Sequence, residues 1–487
     1  MATQSHMTDQ AVEIFFFPFV GGGHQIPMID MARLFASHGA KTTIITAPSH
    51  SPSFHSSIAR DQTLLNLPIS IHALHLPDDN IHALRDTDMS AAPSTDTSVL
   101  QEPLKNLLRE RRPHCIVHDV FHRWSAEAID STNTPRVTFT GGGCFASCVQ
   151  DCLLKYMPQD QAGSDYEPFV VPGLAHQIEL TRSQLPGLRG PPRRREIMAR
   201  AEERSLGVLV NSFYDLEGVY VDQFRTQLGN KKAWLVGPAS LCNLHHEDKA
   251  ERGKRSSLDE RSVLSWLDRK PDGSVLYVSF GSLARLAPEQ LLEIACGLEA
   301  SESNFIWVVG EIMDRKGEEN QVNWLPGGFE QRVKERGLVI RGWAPQLLIL
   351  EHGSVGGFMT HCGWNSTLEG LTAGVPMITW PYSAEQFINE KLLVDVAKVG
   401  IKVGSLDWAS WSSGPKRTVG RDKVEAAVRR LMGGGDEVAE MRSRARELGE
   451  KARRAVAAGG SSFKDVDELI VELRARRKND NLITKFM

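Results

Sequence analysis

The chain lacks several features that mark specialised classes of protein. Its 487 residues carry a formal net charge of only −4, so the composition gives no reason to expect nucleic-acid binding. Its apolar runs are too short to cross a membrane; the run from Ile14 to Val20 even contains Pro18. Residues 1–12 lack the basic and apolar parts of a signal peptide. We therefore expect a cytoplasmic globular protein without a membrane span, and we also expect a monomer.

Cysteine and histidine patterns give no sign of a disulfide framework or a metal site. The seven cysteines are odd in number and show neither a CxxC pair nor zinc spacing, which favours free thiols in a reducing compartment. His114, His118 and His122 recur every four residues, a spacing that would cluster ligands on a helix. Because this segment is predicted to be a strand followed by a loop, we expect no metal there.

Two halves of the chain begin with the same pattern. The first has an apolar strand, Glu13 to Val20, then three glycines, then a helix that Pro27 is predicted to open. The second has an apolar strand, Val275 to Phe280, then Gly281-Ser282, then another helical pattern. A chain of this length is too long for one core. The repeated order of strand, glycine turn and helix predicts two doubly wound α/β domains.

Further apolar runs alternate with helical patterns along both halves. Runs without polar alternation are typical of parallel strands that are covered on both faces. The predicted strands are Thr42 to Thr46, Cys115 to Val117, Arg136 to Phe139, Gly207 to Val210 and Trp234 to Val236 in the first half, and Phe305 to Val309, Leu338 to Ile340, Val355 to Met359 and Met377 to Trp380 in the second.

Polar segments suggest where the domains end. Residues 243–257 are charged and have no apolar period, so we predict an exposed linker between a domain of residues 1–242 and one of residues 258–461. Residues 462–487 are predicted to form a final helix that starts with a capping box, Ser462 to Asp465. Its apolar stripe consists of Val466, Leu469, Ile470 and Leu473.

The segment from Trp343 to Gln386 carries the strongest chemical signal. An apolar strand runs into the sequence HCGWNS, residues 361–366, and then into a helix-like pattern. The first N–H groups of a helix have no intrahelical partner and favour negative charge, so this arrangement suits a phosphate. Gly363 permits close approach of the backbone, while Asn365 and Ser366 offer side-chain donors and could cap the helix.

The remaining polar residues of this segment fit the other parts of a nucleotide sugar. Trp343 could stack on a base, and Glu369 could accept hydrogen bonds from a ribose diol. Glu385 and Gln386 close the segment with the acceptors and donors that a hexose requires. The sequence therefore predicts a site for a nucleotide sugar in the second domain.

A candidate base lies in the first domain. His24 follows the glycine turn at the end of a buried strand, where ligands collect in doubly wound sheets, and its ordinary pKa near 6.5 suits a general base. Asp119 follows a neighbouring strand and could orient the imidazole. We expect His24 to remove the proton of an acceptor hydroxyl with Asp119 as its partner.

The whole segment from Trp343 to Gln386 resembles the signature box of plant secondary-product UDP-glycosyltransferases, nearly position for position. The pattern Gly23-His24-x-x-Pro27 and the strand ending at Asp119 resemble the catalytic pair of that family. The resemblance implies a GT-B fold, in which two Rossmann-like domains face each other across a cleft and the last helix returns to the first domain.

The resemblance also implies roles for individual residues, a UDP-glucose donor and no cofactor or metal. It assigns the phosphates to His361, Asn365, Ser366 and Ser282, the uracil to Gln346 and the Ala344 backbone under Trp343, and the sugar to Trp364, Glu385, Gln386 and Thr140. A single displacement by an activated hydroxyl would invert the anomeric carbon and yield a β-glucoside. No second carboxylate is placed for a retaining mechanism.

The acceptor is predicted less sharply than the donor. Residues 15–46 resemble a branch that glycosylates triterpenoid and steroidal sapogenins and also flavonoids, and we expect a sapogenin or its glycoside, with a flavonoid as the alternative. His122-Arg123 departs from the apolar residues common there, and the segments Ser90 to Val99 and Pro186 to Arg195 are expected to shape the pocket.

Two other classes remain as alternatives. A nicotinamide-dependent oxidoreductase would suit the doubly wound pattern, but the G-x-G-x-x-G motif fails at Ile26. A non-catalytic sensor of nucleotide sugars would not need both His24 and Asp119.

Overall fold

The computed structural model describes residues 11–48, 54–76, 84, 94–186, 203–229, 231–254, 256, 258–284, 286–310, 325–409 and 415–486, with side chains up to residue 478. Two parallel sheets and a short hairpin organise these residues. The strands are β1 Glu13–Phe17, β2 Lys41–Thr46, β3 Ile69–Ala73, β4 Cys115–Asp119, β5 Arg136–Phe139, β6 Phe169–Val170, β7 Glu179–Leu180, β8 Gly207–Val210, β9 Lys232–Leu235, β10 Val275–Ser279, β11 Asn304–Val309, β12 Gly337–Arg341, β13 Val355–Thr360, β14 Met377–Thr379 and β15 Gly400–Lys402.

The helices alternate with these strands in both halves of the chain. They are α1 Gly22–Ser37, α2 His55–Leu64, α3 Gln101–Arg111, α4 Ser125–Asp130, α5 Cys144–Tyr156, α6 Tyr214–Glu217, α7 Val219–Gln227, α8 His246–Ala250, α9 Glu260–Asp268, α10 Pro288–Ala300, α11 Phe329–Val333, α12 Gln346–Leu350, α13 Trp364–Thr372, α14 Gln386–Lys391, α15 Arg421–Met432, α16 Asp436–Val456 and α17 Ser461–Phe486. Short 3₁₀ turns and one π-helical turn, Leu392–Val396, supplement them.

Each sheet has the order of a doubly wound domain. The first runs β3-β2-β1-β4-β5-β8-β9 and the second β12-β11-β10-β13-β14-β15, with all their strand pairs parallel. The strand order reverses between β1 and β4 in one sheet and between β10 and β13 in the other, the positions where such sheets bind ligands. The predicted pair of Rossmann-like α/β domains is confirmed.

The sequence missed two edge strands, β3 and β15. Ile69–Ala73 mixes half-buried polar residues with apolar ones, and Gly400–Lys402 is only three residues long. An edge strand is covered less completely than a central one, so it does not need the continuous apolar run that revealed the others.

The first helix begins earlier than its proline suggests. It starts at Gly22, so Pro27 lies inside α1, and the prediction that Pro27 opens the helix is wrong. Because proline has no N–H, it cannot donate to the carbonyl four residues before it, that of Gly23. In the structure, Asn365 Nδ2 from the second domain donates to the Gly23 carbonyl at 2.6 Å.

The connecting segment is partly enclosed, so the prediction of an exposed linker describes only part of it: residues 244–247 and 251 are exposed, and the others that the structure describes are buried or half-buried. It contains α8, and the side chains of Asn243 and Asp248 are buried. Arg33 from α1 donates to both of them and also forms a two-bond ion pair with Asp61. Local polarity suggested solvent exposure, but the charges of this segment are paired with residues far away in sequence.

The last helix returns to the first domain, as predicted. Its apolar stripe packs in the core formed by β1, β2, β4 and α1. The predicted capping box is absent: α17 begins at Ser461, Ser462 Oγ donates to the Gly237 carbonyl at 2.6 Å, and Asp465 accepts from Leu235 N–H at 2.7 Å. These two side chains therefore fasten the helix to the end of β9 and do not cap the helix itself.

The cysteines and the His114 and His118 side chains do not share a common site in the part of the chain that the structure describes. All seven cysteines are free, and five of them are buried. His118 contacts Ser125 and Arg136, and His114 lies against Arg477. Nowhere in the described ranges do three or more His, Cys, Asp or Glu side chains gather as potential metal ligands. Within the same ranges, none of the helices combines the length and apolar character needed to cross a bilayer.

A buried carboxyl on α14 predicts a stability that depends on pH. Burial raises the pKa of Glu390 from 4.5 to about 7, although Thr379 Oγ1 donates to it at 2.7 Å. The folded protein therefore holds a proton that the unfolded chain releases, and stability is lost as the pH rises from 4.5 towards 7. Glu390→Gln should raise the free energy of unfolding by roughly 3 kcal/mol above pH 7 and change it little below pH 4.5.

Denaturant unfolding at pH 5 and pH 8.5 would measure this difference. Glu289→Gln, at an exposed position of α10, is the control and should behave like the wild type at both values. A Glu390→Gln variant whose advantage does not grow with pH would contradict the prediction.

Candidate active site

An imidazole–carboxylate pair lies at the carboxyl end of the first sheet. His24 is in the first turn of α1, and Asp119 ends β4, the strand next to β1. His24 Nδ1 and Asp119 Oδ2 are 2.7 Å apart, and Asp119 Oδ1 accepts from the Phe121 N–H at 2.9 Å. The Asp119 side chain is fully buried, whereas the His24 side chain keeps 18% exposure. This pair has the geometry of a base whose tautomer is fixed by a carboxylate.

Aromatic rings and a glycine surround the imidazole. The Phe121 ring lies 4.2 Å from the His24 ring, centroid to centroid, and Phe19 and Phe139 approach it edge-on. Gly141 follows β5 with a φ of +79°, and a Cβ atom there would lie 2.6 Å from His24 Cε1. Only glycine allows the backbone to pass so close to this ring.

His122 is a buried core residue. It stacks on Phe17 at 4.1 Å, its Nδ1 contacts Thr97 Oγ1 at 2.7 Å, and its Nε2 lies 3.0 Å from the Pro18 carbonyl. Burial lowers its pKa to about 4, so the ring is neutral. Hydrogen bonds inside the first domain therefore accommodate His122 at a position where apolar residues are common. Arg123, the next residue, is exposed.

The start of α13 offers a site for an anion in the second domain. Gly363 is its N-cap, with extended backbone and no side-chain cap, so the prediction that Asn365 and Ser366 cap the helix is wrong. No acidic residue occupies the first turn. The unpaired N–H groups and the positive end of the helix dipole are therefore not offset by a local carboxylate.

His361 and Gly281 meet beside this helix start. A Cβ atom at Gly281, which has a φ of +73°, would lie 2.7 Å from the His361 ring, and Ser282 follows it half-buried. Burial lowers the pKa of His361 to about 4, so the ring is neutral. Its Nδ1 is buried and has no partner among the described residues. A neutral ring can donate one N–H to an anionic ligand.

Cys362 lies in the same turn and is inert. Its backbone is left-handed, with a φ of +63°, and its side chain is fully buried. Burial raises the pKa of its thiol well above the ordinary value. The residue packs in the core and does not provide a nucleophile.

Glu369, about one turn further along α13, is bonded to two polar side chains. Its Oε2 accepts from Gln346 Nε2 at 2.6 Å, and its Oε1 accepts from Arg252 Nη1 at 2.6 Å. Gln346 Nε2 also lies 3.3 Å from Ser366 Oγ, and Tyr277 donates to Gln346 Oε1 at 3.3 Å. The Gln346 amide is thus bound to residues of the second domain.

Trp343 is half-buried and precedes buried Ala344. A Cβ atom at Gly253 would lie 2.5 Å from Trp343 Cζ2 and 3.0 Å from Ile26 Cδ1, so the indole packs closely against the connecting segment. The Trp343 carbonyl accepts from Ser256 Oγ at 3.3 Å. The indole is therefore held by the segment that joins the domains.

Two residues at the start of α13 bond to the first domain. Trp364 Nε1 donates to the Asn211 carbonyl at 2.8 Å, and Asn365 Nδ2 donates to that of Gly23. The predicted phosphate-binding turn consequently lies against the start of α1, the helix that carries His24. The Trp364 indole N–H is engaged, which leaves the backbone N–H of this residue for a ligand.

The amide of Gln386 has a defined orientation. Its Oε1 accepts from the N–H groups of Tyr382 at 2.9 Å and Ser383 at 2.8 Å, so its two Nε2 hydrogens remain to be donated elsewhere. Glu385 precedes it as the N-cap of α14 and accepts from Asn389 at 3.3 Å. Thr140 is half-buried directly after β5.

Sequence reasoning missed three contributors to the site. Gly141 and Arg252 contact His24 and Glu369, and Asn211 binds the Trp364 indole. The glycine triplet 141–143 directly after β5 was a readable signal, similar to the one before His24. Nothing in the local sequence distinguishes Arg252 from other charged residues of its segment.

Comparison with known proteins gives consistent results along the chain. Residues 259–413 match the family model described as "UDP-glucoronosyl and UDP-glucosyl transferase". An abscisate beta-glucosyltransferase of Phaseolus angularis is 56% identical over 475 residues, which are 96% of this chain and 98% of the relative. A UDP-glucose flavonoid 3-O-glucosyltransferase 7 of Fragaria ananassa is 46% identical, covering 95% of this chain and 96% of the relative.

A solved structure is similar over nearly the whole chain. It is the crystal structure of Glycyrrhiza uralensis UGT73P12 complexed with glycyrrhetinic acid 3-O-monoglucuronide. Its TM-score is 0.87 at 39% sequence identity, and the match covers 98% of this chain and 99% of that one. The likeness therefore includes both domains and the returning helix.

Proposed function

Because the chain belongs to the plant UDP-glycosyltransferases, which use a UDP-sugar donor and no cofactor, we propose that it transfers glucose from UDP-glucose to a hydrophobic acceptor with inversion. The observation that carries this proposal is the contact between domains at Gly23 and Asn365. This contact brings the start of α13, which we propose binds phosphate, next to α1, which carries the proposed base His24.

The proposed reaction is one displacement. His24 Nε2 accepts the proton of the acceptor hydroxyl, and the hydroxyl oxygen bonds to the anomeric carbon. The bond between that carbon and the phosphate oxygen breaks, and UDP leaves. Asp119 holds the imidazole and stabilises its protonated form. Attack opposite the leaving group converts an α-linked donor into a β-glucoside.

We propose that neutral donors stabilise the leaving diphosphate. His361, Ser282, Asn365 and Ser366 would contact it, together with the backbone N–H groups after Gly363. The neutral His361 ring and the acid-free first turn of α13 support this arrangement. Asn365 Nδ2 carries two hydrogens, so one can stay on the Gly23 carbonyl while the other is donated to the phosphate.

The rest of the donor is proposed to occupy the adjoining pockets. Trp343 would stack on the uracil, whose edge would meet Ala344 and Gln346. Glu369 would accept from the ribose hydroxyls. The sugar would lie near Glu385, Gln386, Thr140 and the Trp364 backbone.

The orientation of Gln386 supports a specific prediction. In Gln386→Glu, the carboxylate can still accept from Tyr382 and Ser383, but the two hydrogens proposed to bind the sugar are lost. We expect kcat/KM for UDP-glucose to fall about 10- to 100-fold. Calorimetric binding of UDP, which has no sugar, should stay close to wild type; an equal loss for UDP would contradict the proposed role.

For the acceptor we propose an isoprenoid, with a sapogenin or its glycoside as the first choice and a flavonoid as the alternative. The bound glycyrrhetinic acid glucuronide of the similar structure supports the first choice. The relative at 56% identity adds abscisate as a further isoprenoid.

We also keep a cytoplasmic location and domain limits at residues 242, 258 and 461 as proposals.

A mass-spectrometric assay tests the proposed function. Purified protein is incubated with UDP-glucose or UDP-galactose and with abscisate, a sapogenin, a sapogenin glucuronide or a flavonol, with EDTA present. We expect hexosylated product from UDP-glucose and an isoprenoid, with a β linkage by NMR. Turnover that requires a divalent ion, or an α linkage, would overturn the mechanism; a flavonol preference would replace the acceptor class.

A further inference from the structure

Arg252 joins the two domains next to Glu369, the proposed ribose-binding residue. Its Nε and Nη2 donate to Asp30 Oδ2 at 2.9 Å and 2.8 Å, and its Nη1 donates to Glu369 Oε1 at 2.6 Å. The three side chains are 12%, 3% and 5% exposed, respectively. Asp30 belongs to α1, six residues after His24, and Glu369 belongs to α13. One guanidinium thus connects a helix of each domain.

Asp30, the partner of Arg252 on α1, is fixed by further hydrogen bonds. Asp30 Oδ1 accepts from Asn243 Nδ2 at 3.0 Å, and Asn243 Oδ1 accepts from Arg33 Nη1 at 2.5 Å. Arg33 is bonded in turn to Asp61 and Asp248, both buried. The position of Arg252 is therefore defined by a network that reaches back to α2.

The hydrogen bonds of Glu369 leave some of its acceptor positions unused. A carboxylate has about four acceptor positions, and Arg252 and Gln346 occupy one on each oxygen. The second position on each oxygen can accept from a vicinal diol. Because each oxygen accepts from a different side chain, the carboxyl group cannot rotate about its last bond without breaking one of these two hydrogen bonds.

We propose that Arg252 is a positioning residue for the donor: it holds Glu369 ready to accept both ribose hydroxyls and secures that pocket to α1. This inference rests on the proposed function, in which Glu369 binds the ribose. Arg252 lies outside the segment from Trp343 to Gln386, and it acts on the nucleotide through Glu369.

The choice of variant follows from the buried charges. Removing Arg252 altogether would leave Asp30 and Glu369 facing each other without their common cation, which risks unfolding. Arg252→Lys keeps the charge but replaces the planar fork by one ammonium, which cannot reproduce three directed bonds to two carboxylates. Arg60→Lys is the matched control, because Arg60 pairs with Asp248 and Glu251 in the same network and is not bonded to Glu369.

The experiment compares binding of UDP and 2′,3′-dideoxy-UDP, which lacks both hydroxyls, by calorimetry. In Arg252→Lys, we expect UDP affinity to fall about tenfold and dideoxy-UDP affinity to change much less, so that discrimination between them shrinks. The KM for UDP-glucose should rise while kcat and the KM for the acceptor stay within about threefold. Arg60→Lys should keep the wild-type discrimination.

Glu369→Gln separates failure of this inference from failure of the proposed function. If Glu369→Gln loses the discrimination and Arg252→Lys keeps it, Glu369 binds the ribose without help from Arg252 and the inference is overturned. If Glu369→Gln keeps it, the proposed ribose site is wrong and the inference falls with it. Equal losses for both nucleotides in Arg252→Lys, together with a lower melting temperature, would assign Arg252 a purely structural role.

Discussion

His24→Ala is expected to lower kcat about 10²- to 10⁴-fold, because an unactivated hydroxyl is a poor nucleophile at neutral pH and this imidazole is the proposed proton acceptor. UDP should bind the variant almost as it binds the wild type, since His24 lies on the first domain and the proposed phosphate contacts lie on the second. Single-turnover product formation and calorimetry with UDP would measure the two quantities separately.

The same helix provides a matched control. His38 at the C-terminal end of α1 pairs with Asp467 through Nδ1 at 2.7 Å, the same separation as between His24 and Asp119. His38→Ala should lower stability slightly and leave kcat unchanged. Retention of more than about a tenth of wild-type kcat by His24→Ala would show that another group or water takes the proton.

Asp119→Asn is expected to have an effect of similar size, about 10²- to 10⁴-fold in kcat, with little change in folding. Asp119 Oδ1 accepts from the Phe121 N–H, so the amide oxygen of an asparagine must take that position. Its NH₂ group then faces His24 Nδ1, which becomes an acceptor. The ring proton moves to Nε2, and that nitrogen can no longer receive a proton from the acceptor.

A pH–rate profile and NMR of the His24 ring nitrogens would test this prediction. The profile should lose the limb that reports the base, and the ring should carry its proton on Nε2. Asp467→Asn makes the same change in the other His–Asp pair and should leave the profile intact. A protonated Nδ1 in Asp119→Asn together with low activity would show that charge, and not the tautomer, is the contribution of Asp119.

The central parts of the fold and the chemical groups of the site were predictable from local sequence. Strands β4, β5 and β13 are buried along their whole length, and each leads to a residue proposed for the reaction, so the order of the sheets brings those residues together. His24 and Asp119 were paired from their places after two strands, and their 2.7 Å contact agrees with that expectation.

Contacts between distant segments were not predictable in this way. Arg252 appeared as one charge in a polar stretch, yet it contacts Asp30 and Glu369, 222 and 117 residues away. Likewise, Pro27 looked like the start of a helix because its missing N–H suits that position. Inside the helix, the carbonyl that the proline leaves without its usual donor accepts from Asn365 of the second domain.

The returning helix has a consequence for how the protein is made. Val466, Leu469, Ile470 and Leu473 complete the interior of the domain that is synthesised first. The first lobe leaves the ribosome before this helix does, so part of its interior stays uncovered until the second lobe has been translated. The interior of the first lobe can therefore be completed only after this helix has been synthesised.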